Sequence, residues 1–331
     1  MTLKTKRKKK PSFSSCAFML GSLFLLALLL KNPRIANEAV ASSLKVCAGL
    51  LIPSLFPLMV ASEIAVECGA VERLTRPFSA PVSRLLGISK NATAPLFLGL
   101  VGGYTTAVSG ALSLYRGRKI SKHDTERVIA LSSLPSLSFL TGFVGIGVFN
   151  NSTIGWILWI VVIASSIIIG IFTRNSLDSE VQYDTSAKST NEERTSIASS
   201  PSKIIVGAIS HSASSMLIIC AFVVFFATLI ASLRFPLNAI STPNELQSIL
   251  IGFLEITSGA ISLKSINPLS LRATACAFFV GWSGLSVHFQ IMSLCEGHIL
   301  SFKRYFLHKI AQGVTCALLT LVIFIKFNIR A

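Results

Sequence analysis

Two glutamates have the greatest potential for chemistry because they lie inside apolar segments. Glu63 falls in LMVASEIAV and Glu255 in GFLEITSG. An ionisable group at membrane depth is costly, so each glutamate is a functional candidate. Burial favours the protonated form of a carboxyl group, which suits proton coupling or gating. The alternative for each glutamate is a structural hydrogen bond to backbone that is freed near a helix break.

A polar and glycine-rich run interrupts another apolar segment, between residues 281 and 290. Its side chains offer hydrogen-bond donors and acceptors, and its glycines permit close approach of the backbone. We expect substrate contacts here, whereas helix packing through small residues is the alternative. The candidate substrate-binding residues of this run are Gly284, Ser286, His288 and Gln290.

A run of serines around Pro135 is the counterpart in the first half of the chain. Proline lacks a backbone donor and disrupts a helix, and neighbouring hydroxyl groups can bind the freed backbone. Exposed N–H groups at such a break can bind an anion without a basic side chain. Ser133 and Ser136 are therefore candidates, with a proline-kinked packing helix as the alternative. No lysine or arginine is expected deep in either candidate site.

These candidates call for two elements that enter the membrane and return to the side they left. Residues 91–114 form an apolar stretch with basic residues at both ends, whereas a spanning helix carries its Lys/Arg excess on the cytoplasmic side only. Irregular backbone at membrane depth must be buried in protein or line a polar cavity. We expect a cytoplasmic re-entrant segment at 91–114 and an external one at 248–263. Their candidate residues are Gly102, Gly103, Tyr104, Thr105, Ser109, Thr257 and Ser258.

The composition indicates a membrane protein. The 331 residues are 52% hydrophobic and 13% charged, with a mean hydropathy of +0.68, whereas a soluble domain carries about 25% charged residues. The net charge of +16 comes from residues 4–10 and from loops, which favours orientation in the bilayer and attraction to anionic lipid over nucleic-acid binding. We expect the lipid bilayer as a partner, no nucleic acid, and a multi-pass location in the cell membrane.

Neither enzymatic nor metal chemistry is predicted. The sequence lacks Gly-x-Ser-x-Gly, His-Glu-x-x-His, Walker and paired-aspartate motifs. Its seven cysteines form no Cys-x-x-Cys pair, which favours apolar packing over disulfides or metal binding. We therefore expect no enzyme, no cofactor and no metal site, and a homo-oligomer stays open.

Charge placement predicts an all-α polytopic fold with about seven transmembrane helices. Pro53 and Pro57 should interrupt the second helix, and residues 70–90 and 115–127 should form basic cytoplasmic loops. The first helix resembles a secretory signal, but the charged residues after it favour an uncleaved helix. The helices are expected at 14–31, 38–68, 128–149, 154–173, 204–233, 270–294 and 305–325. The expected divisions are 1–37 (N-terminus and first helix), 38–173 (first repeat), 174–203 (flexible cytoplasmic linker), 204–294 (second repeat) and 295–331 (C-terminal helix).

A short internal repeat supports two related halves. Residues 109–114, Ser-Gly-Ala-Leu-Ser-Leu, recur as Ser-Gly-Ala-Ile-Ser-Leu at 258–263, which is 149 positions later. Residues 136–138, Ser-Leu-Ser, correspond to Gly-Leu-Ser at 284–286 with an offset of 148. The charge-based topology gives the halves opposite orientations. Inverted repeats with broken helices place the substrate site at their interface, near the bilayer midplane.

From about residue 44 to residue 319, the chain resembles the YlbJ-type sporulation integral membrane proteins of the nucleoside-recognition Gate group. The resemblance is carried by Pro-Ser-Leu-Phe-Pro at 53–57, Gly-Gly-Tyr at 102–104, Leu-Glu-Ile-Thr-Ser-Gly at 254–259 and the run 281–290. It implies a layout similar to concentrative nucleoside transporters, with two re-entrant hairpins and broken helices in inverted repeats. The chain departs from the family at 103–105, where Gly-Tyr-Thr replaces the usual Gly-Tyr-Pro, and at 281–284, where Gly-Trp-Ser-Gly replaces Gly-Phe-Gly-Gly.

The resemblance implies transport of dipicolinic acid across the outer forespore membrane during sporulation, because a member of the family is implicated in that step. The residues themselves favour a secondary transporter of a small organic anion, with Glu255 and Glu63 as the coupling or gating groups. Two alternatives stay open. One is transport of a nucleoside or related metabolite, and the other is a non-transporting membrane protein needed for assembly of the spore envelope, including the cortex.

Overall fold

The computed structural model describes residues 13–174, 200–238, 243–295 and 301–327. Within these ranges the chain is helical and contains no β-strand, which confirms the expected all-α class. The basic run at 4–10 and nearly all of the expected linker at 174–203 lie outside the described residues.

The first half of the chain is divided into eight α-helices within the described residues. These are α1 (Phe13–Lys31), α2 (Pro33–Val46), α3 (Ile52–Glu67), α4 (Ala70–Leu86), α5 (Thr93–Gly102), α6 (Tyr104–Arg116), α7 (Lys122–Ser132) and α8 (Ser152–Phe172). Two wider, π-helical segments complete this half, at Cys47–Leu51 and Phe139–Val148.

The second half repeats the later part of this order. Its helices are α9 (Pro201–Asn238), α10 (Asn244–Leu254), α11 (Ile256–Ser262), α12 (Leu269–Trp282), α13 (Gly284–Leu294) and α14 (Phe302–Lys326). In each half, a helical hairpin (α5–α6 or α10–α11) precedes a broken helix (α7 with the π-helical segment, or α12–α13) and a long helix. The sequence matches fall at equivalent places, in the second helix of each hairpin and just after each helix break.

Among the described residues, five helices are long and apolar enough to cross a membrane, and the count rises to six if the bent pair of Arg73–Leu86 and Lys90–Gly102 is one span. The polytopic class is therefore confirmed, whereas the count of seven is not. The five helices are Pro33–Glu67, Ser152–Phe172, Pro201–Leu233, Leu269–Leu294 and Phe302–Lys326.

The helix expected at 128–149 is interrupted at Pro135, as the sequence predicts. The chain leaves the helical path after Ser132 and resumes it only beyond Ser136. Pro135 explains the break, because proline has no N–H to donate and restricts the residue before it to extended conformations. By contrast, the expected interruption at Pro57 does not occur, since α3 continues through that residue.

The expected basic loop at 70–90 is also wrong, because most of it forms α4. Left-handed glycines, Gly69 (φ 66°) and Gly87 (φ 64°), stand at its two ends. The arginines of this segment suggested a loop, but apolar side chains recur between them at helical spacing. The segment therefore forms an amphipathic helix. The second basic loop is similarly shortened, since α7 begins at Lys122.

Arg127, which the sequence placed in that second loop, is a buried clamp between helix ends. Its guanidinium group donates to the carbonyl oxygens of Leu86 (2.9 Å), Thr173 (2.8 Å) and Gly170 (2.6 Å). The planar fork of arginine suits several acceptors at once. Arg127 therefore joins α7 to the ends of α4 and α8.

Packing brings the two halves together through their long helices. The helix α14 lies along α12 within its own half and also contacts α8 and α7 of the first half. The helix α9 packs against α2 and α3. This arrangement leaves both hairpin tips and both helix breaks in the interior of the described chain.

Candidate functional site

The tip of the first hairpin is the glycine pair between α5 and α6. Gly103 has a φ of 81° and a ψ of −171°, a conformation that is open almost only to glycine. A Cβ atom on Gly103 would lie 3.2 Å from the Cβ of Ser136 and 3.3 Å from its backbone nitrogen. The hairpin tip therefore packs directly against the break that follows α7.

The break after α7 is stabilised by its own serines. The hydroxyl group of Ser136 accepts from the backbone N–H of Phe139 at 3.3 Å, which caps the helix that follows the break. It also lies 2.9 Å from the hydroxyl oxygen of Ser138. The Ser133 hydroxyl instead bonds the carbonyl of Ile129 within its own helix.

The tip of the second hairpin is built around Glu255. This residue is extended and 1% exposed, and it separates α10 from α11. Its two carboxylate oxygens accept from the backbone N–H groups of Thr257 (2.8 Å) and Ser258 (2.6 Å). Glu255 is thus the N-cap of α11, which is the structural alternative considered for it. Its expected role in coupling or gating stays a prediction.

The second break, between α12 and α13, closes against that tip. Gly284 has a φ of 73°, and a Cβ atom there would lie 3.0 Å from the backbone nitrogen of Ile256. Ser283 also has a left-handed backbone, with a φ of 76°. Such a conformation is strained for most residues other than glycine.

The two halves meet at these breaks. The Ser283 hydroxyl donates to the carbonyl oxygen of Ser133 at 3.4 Å. The Tyr104 hydroxyl donates to Oε1 of Gln290 at 2.5 Å, which joins α6 to α13. Hairpin tips and helix breaks from both halves therefore form one continuous centre.

A cavity lies at this centre. Its volume is about 70 Å³, which is room for roughly five waters. Its polar wall comes from the tips and breaks: Gly102, Gly103, Tyr104, Thr105, Pro135, Ser136, Thr257, Ser283, Ser286 and Gln290. Its apolar wall comes mainly from α3 and α9: Leu55, Met59, Ile219, Phe222 and Val223.

Eight of the predicted site residues line this cavity, from segments as far apart in sequence as Gly102 and Gln290. The tertiary structure thus brings together most of the candidates. The eight are Gly102, Gly103, Tyr104, Thr105, Ser136, Thr257, Ser286 and Gln290.

The remaining candidates lie elsewhere. Glu63 is paired across 3.1 Å with His211 of α9. His288 is fully buried, with Nδ1 2.9 Å from the Tyr305 hydroxyl and aromatic rings packed around it. Ser109 lines a second cavity. Four other candidates do not line the cavity but make the contacts described above at the hairpin tips and helix breaks: Ser133, Gly284, Glu255 and Ser258.

A basic residue lies directly behind the central cavity, contrary to the expectation for this site. Lys309 of α14 is 0% exposed, and its ammonium group donates to the carbonyl of Ser133 (2.7 Å) and to Oε1 of Gln312 (2.7 Å). It therefore caps the C-terminal end of α7 directly behind the cavity. The spacing of Lys309 and Gln312, three residues apart in an apolar helix, was the signal available in the sequence.

Two helix N-termini contribute partial positive charge at the cavity. The helix α6 begins at the cavity-lining residue Tyr104, and α13 begins directly after the lining residue Ser283; the N-terminus of a helix carries a partial positive charge. Two carbonyl groups at the C-terminal ends of helices near the cavity are hydrogen-bonded to side chains. Lys309 donates to the carbonyl of Ser133, and the Trp282 indole donates to the carbonyl of Phe253 at 2.9 Å. The site therefore suits an anion with polar ends and an apolar face.

Comparison with known proteins found a relative that aligns with most of the chain. The chain is 24% identical over 332 aligned residues to the sporulation integral membrane protein YlbJ of Bacillus subtilis, covering 91% of this chain and 80% of YlbJ. This similarity supports a YlbJ-type protein. With its long apolar helices, it also supports the expected location, and the chain is a multi-pass membrane protein.

Two further comparisons found no match. No family model matches the chain, and no solved structure matches it. The membership in the nucleoside-recognition Gate group and the layout of concentrative nucleoside transporters stay predictions for this chain.

Proposed function

We propose that this protein is a secondary transporter of a small organic anion, with dipicolinic acid as the leading substrate, and that it acts in the outer forespore membrane during sporulation. The name of YlbJ supports the link to sporulation. The observation that carries the transport proposal is the central cavity, where two hairpin tips and two helix breaks converge.

Broken helices at membrane depth are the first support for this proposal. Backbone that leaves the helical path inside a bilayer is tolerated where it is buried in protein or lines a cavity. All four interruptions here, at Gly103, Ser133–Ser136, Glu255 and Ser283, lie at or directly behind the cavity. In this proposal both hairpins are re-entrant and face each other from opposite sides of the membrane, as in other inverted-repeat transporters.

The lining of the cavity supports an anionic, partly aromatic solute. Helix N-termini can bind carboxylates without a basic side chain, and hydroxyl or amide groups of Tyr104, Ser286 and Gln290 can fix their orientation. Phe222 and Leu55 offer an apolar wall for a ring. Dipicolinate, a ring with two carboxylates, has this combination of properties.

Uptake into proteoliposomes tests the proposal. Purified protein should carry labelled dipicolinate above the level of protein-free vesicles, and unlabelled dipicolinate should compete where nucleosides do not. Ser286→Ala should raise the KM by about tenfold, the size of one hydrogen bond to a charged group. Ser214→Ala is the matched control, because that exposed hydroxyl bonds only its own helix at 3.0 Å.

The other outcomes separate the remaining hypotheses. Competition by nucleosides would favour the nucleoside alternative. Absence of uptake of either class, in protein that is folded and inserted, would overturn the transport proposal and favour a role in spore envelope assembly. Equal KM values for Ser286→Ala and Ser214→Ala would leave transport standing but refute the assignment of the central cavity.

A further inference from the structure

A buried lysine behind the central cavity has no opposite charge beside it. Lys309 lies about two turns inside α14, one of the helices long enough to cross a membrane, and is 0% exposed. Its two hydrogen bonds go to neutral oxygens, the carbonyl of Ser133 and Oε1 of Gln312, both at 2.7 Å. No acidic side chain lies within ion-pair distance of it in the part of the chain that the structure describes. An ionised group in such a place is costly unless something else supplies the missing charge.

The elements packed around Lys309 supply no carboxylate either. At this level of α14, the helices α8 and α12 present uncharged groups, the Ser165 hydroxyl and Gly281. The surrounding groups that are titratable or charged are bases, a phenol and a thiol: His288 of α13, Arg127 of α7, and Tyr305, His308 and Cys316 of α14 itself. The charge that could balance an ammonium group must therefore come from a ligand.

The contacts of Lys309 suit both a charged and a neutral side chain. An ammonium group has three N–H bonds, and a neutral amine has two. Both acceptors are uncharged and each takes one N–H, so loss of a proton leaves both hydrogen bonds in place. Lysine also changes its charge readily when it is buried, whereas arginine stays protonated.

Lys309 is also close to the central cavity. The hydroxyl of Ser283, which lines the cavity, donates to the same carbonyl oxygen of Ser133 at 3.4 Å. Nζ of Lys309 and Oγ of Ser283 therefore lie within about 6 Å of each other. An anion that touches Ser283 would lie about 9 Å or less from Nζ, and at an effective dielectric constant of about 20 this attraction changes a binding constant by about twentyfold.

We infer that Lys309 is the proton-binding group of the transport cycle, which takes up a proton when a carboxylate occupies the central cavity and releases it when the carboxylate leaves. The proton comes from water on the side where the anion enters, and it converts the amine to an ammonium group. Each ligand strengthens the binding of the other by the same factor, because coupling between two sites is reciprocal. Glu255, the coupling group expected from the sequence, already has both oxygens bound to backbone N–H groups. The inference rests on the proposed function for the identity of the anion.

Calorimetry in detergent tests this link without any transport. When dipicolinate is titrated at neutral pH in buffers of different ionisation enthalpy, the difference in heat counts the protons that binding takes up. The native protein should take up protons, whereas Lys309→Met should take up none and should bind dipicolinate up to about twentyfold more weakly. Lys309→Arg should bind dipicolinate without proton uptake, because arginine keeps its charge, and it serves as the test if the methionine variant does not fold. Lys303→Met, which removes the same charge from the exposed start of α14, should behave like the native protein.

Uptake driven by a pH gradient gives a second measurement. An acidic exterior should accelerate dipicolinate uptake by the native protein and by His308→Gln, but not by Lys309→Met. Proton uptake that persists in Lys309→Met, or that is lost in Glu255→Gln, His288→Gln or His308→Gln, would overturn the inference.

The same measurements separate this inference from the transport proposal. Binding and transport by the native protein without proton uptake would overturn the role of Lys309 and leave transport standing. Proton-linked binding without uptake into vesicles would support the role of Lys309 and count against transport alone. Absence of dipicolinate binding to folded protein would overturn both.

Discussion

Replacing Glu255 by glutamine tests whether its carboxylate holds the second hairpin tip together. The side chain is 1% exposed, and its oxygens accept from Thr257 at 2.8 Å and Ser258 at 2.6 Å. Glutamine keeps one acceptor oxygen, so one backbone N–H loses its partner and faces an NH₂ group. A hydrogen bond to a charged group contributes about 1.5–3 kcal/mol, and an unpaired buried donor costs about 1–3 kcal/mol. We expect Glu255→Gln to lower the free energy of unfolding by about 2 kcal/mol or more.

Thermal unfolding of the purified protein in detergent measures this effect. Glu245→Gln is the matched control, because Glu245 is exposed in the first turn of α10 and the change in charge is the same. The control should change the stability by about 0.5 kcal/mol or less, whereas Glu255→Gln should lower the melting temperature by roughly 4 °C. Equal melting temperatures for the two variants would refute the capping role. Equal melting with loss of uptake in Glu255→Gln alone would support the coupling role expected from the sequence.

Three further substitutions probe the same centre. Gly103→Ala should lower the free energy of unfolding by about 1–3 kcal/mol from its backbone conformation alone and should impair uptake. Gly69→Ala, at a left-handed glycine with open space around it, should leave uptake unchanged. Equal uptake in both variants would contradict the packing at the tip. Arg127→Lys should lose about two of the three hydrogen bonds to carbonyl groups and lower the free energy of unfolding by roughly 2–4 kcal/mol. The control Arg73→Lys, at an exposed residue, should lower it by less than about 0.5 kcal/mol. Equal free energies of unfolding for the two variants would refute the clamp. Ser283→Gly should raise the melting temperature, because relief of its positive φ is worth about 1 kcal/mol; a lower melting temperature would show that the serine hydroxyl matters more than the backbone strain.

Local features of the sequence were sufficient to locate three of the four interruptions at the site. A glycine pair at 102–103, a proline at 135 and a glycine at 284 each disturb a helix through the properties of that residue. Glutamate is a good helix former, so Glu255 gives no such signal. The prediction of a basic loop at 70–90 was wrong, because the arginines of this segment belong to an amphipathic helix. At 128–149, Pro135 was expected to disrupt the helix, with a proline-kinked helix as the alternative, and the structure has the break.

The contacts between distant residues could not be predicted in this way. Lys309 donates to the carbonyl of Ser133, 176 positions earlier, and Ser283 reaches the same carbonyl across 150 positions. No periodicity or motif encodes which helix break lies next to which lysine. His288 is a further example. Its polar neighbours in the sequence suggested a substrate contact, whereas in the structure it packs among aromatic rings.

The sequence by itself determined that this is an all-α membrane protein with two related halves, each containing a hairpin and a broken helix. It could do so because bilayer thickness, proline geometry and glycine flexibility act on neighbouring residues. The tertiary structure alone decided that both tips and both breaks share one cavity, that Glu255 caps a helix and that Lys309 binds a freed carbonyl. Those outcomes depend on how α12, α13 and α14 pack against the first half, and such packing is a property of the whole chain.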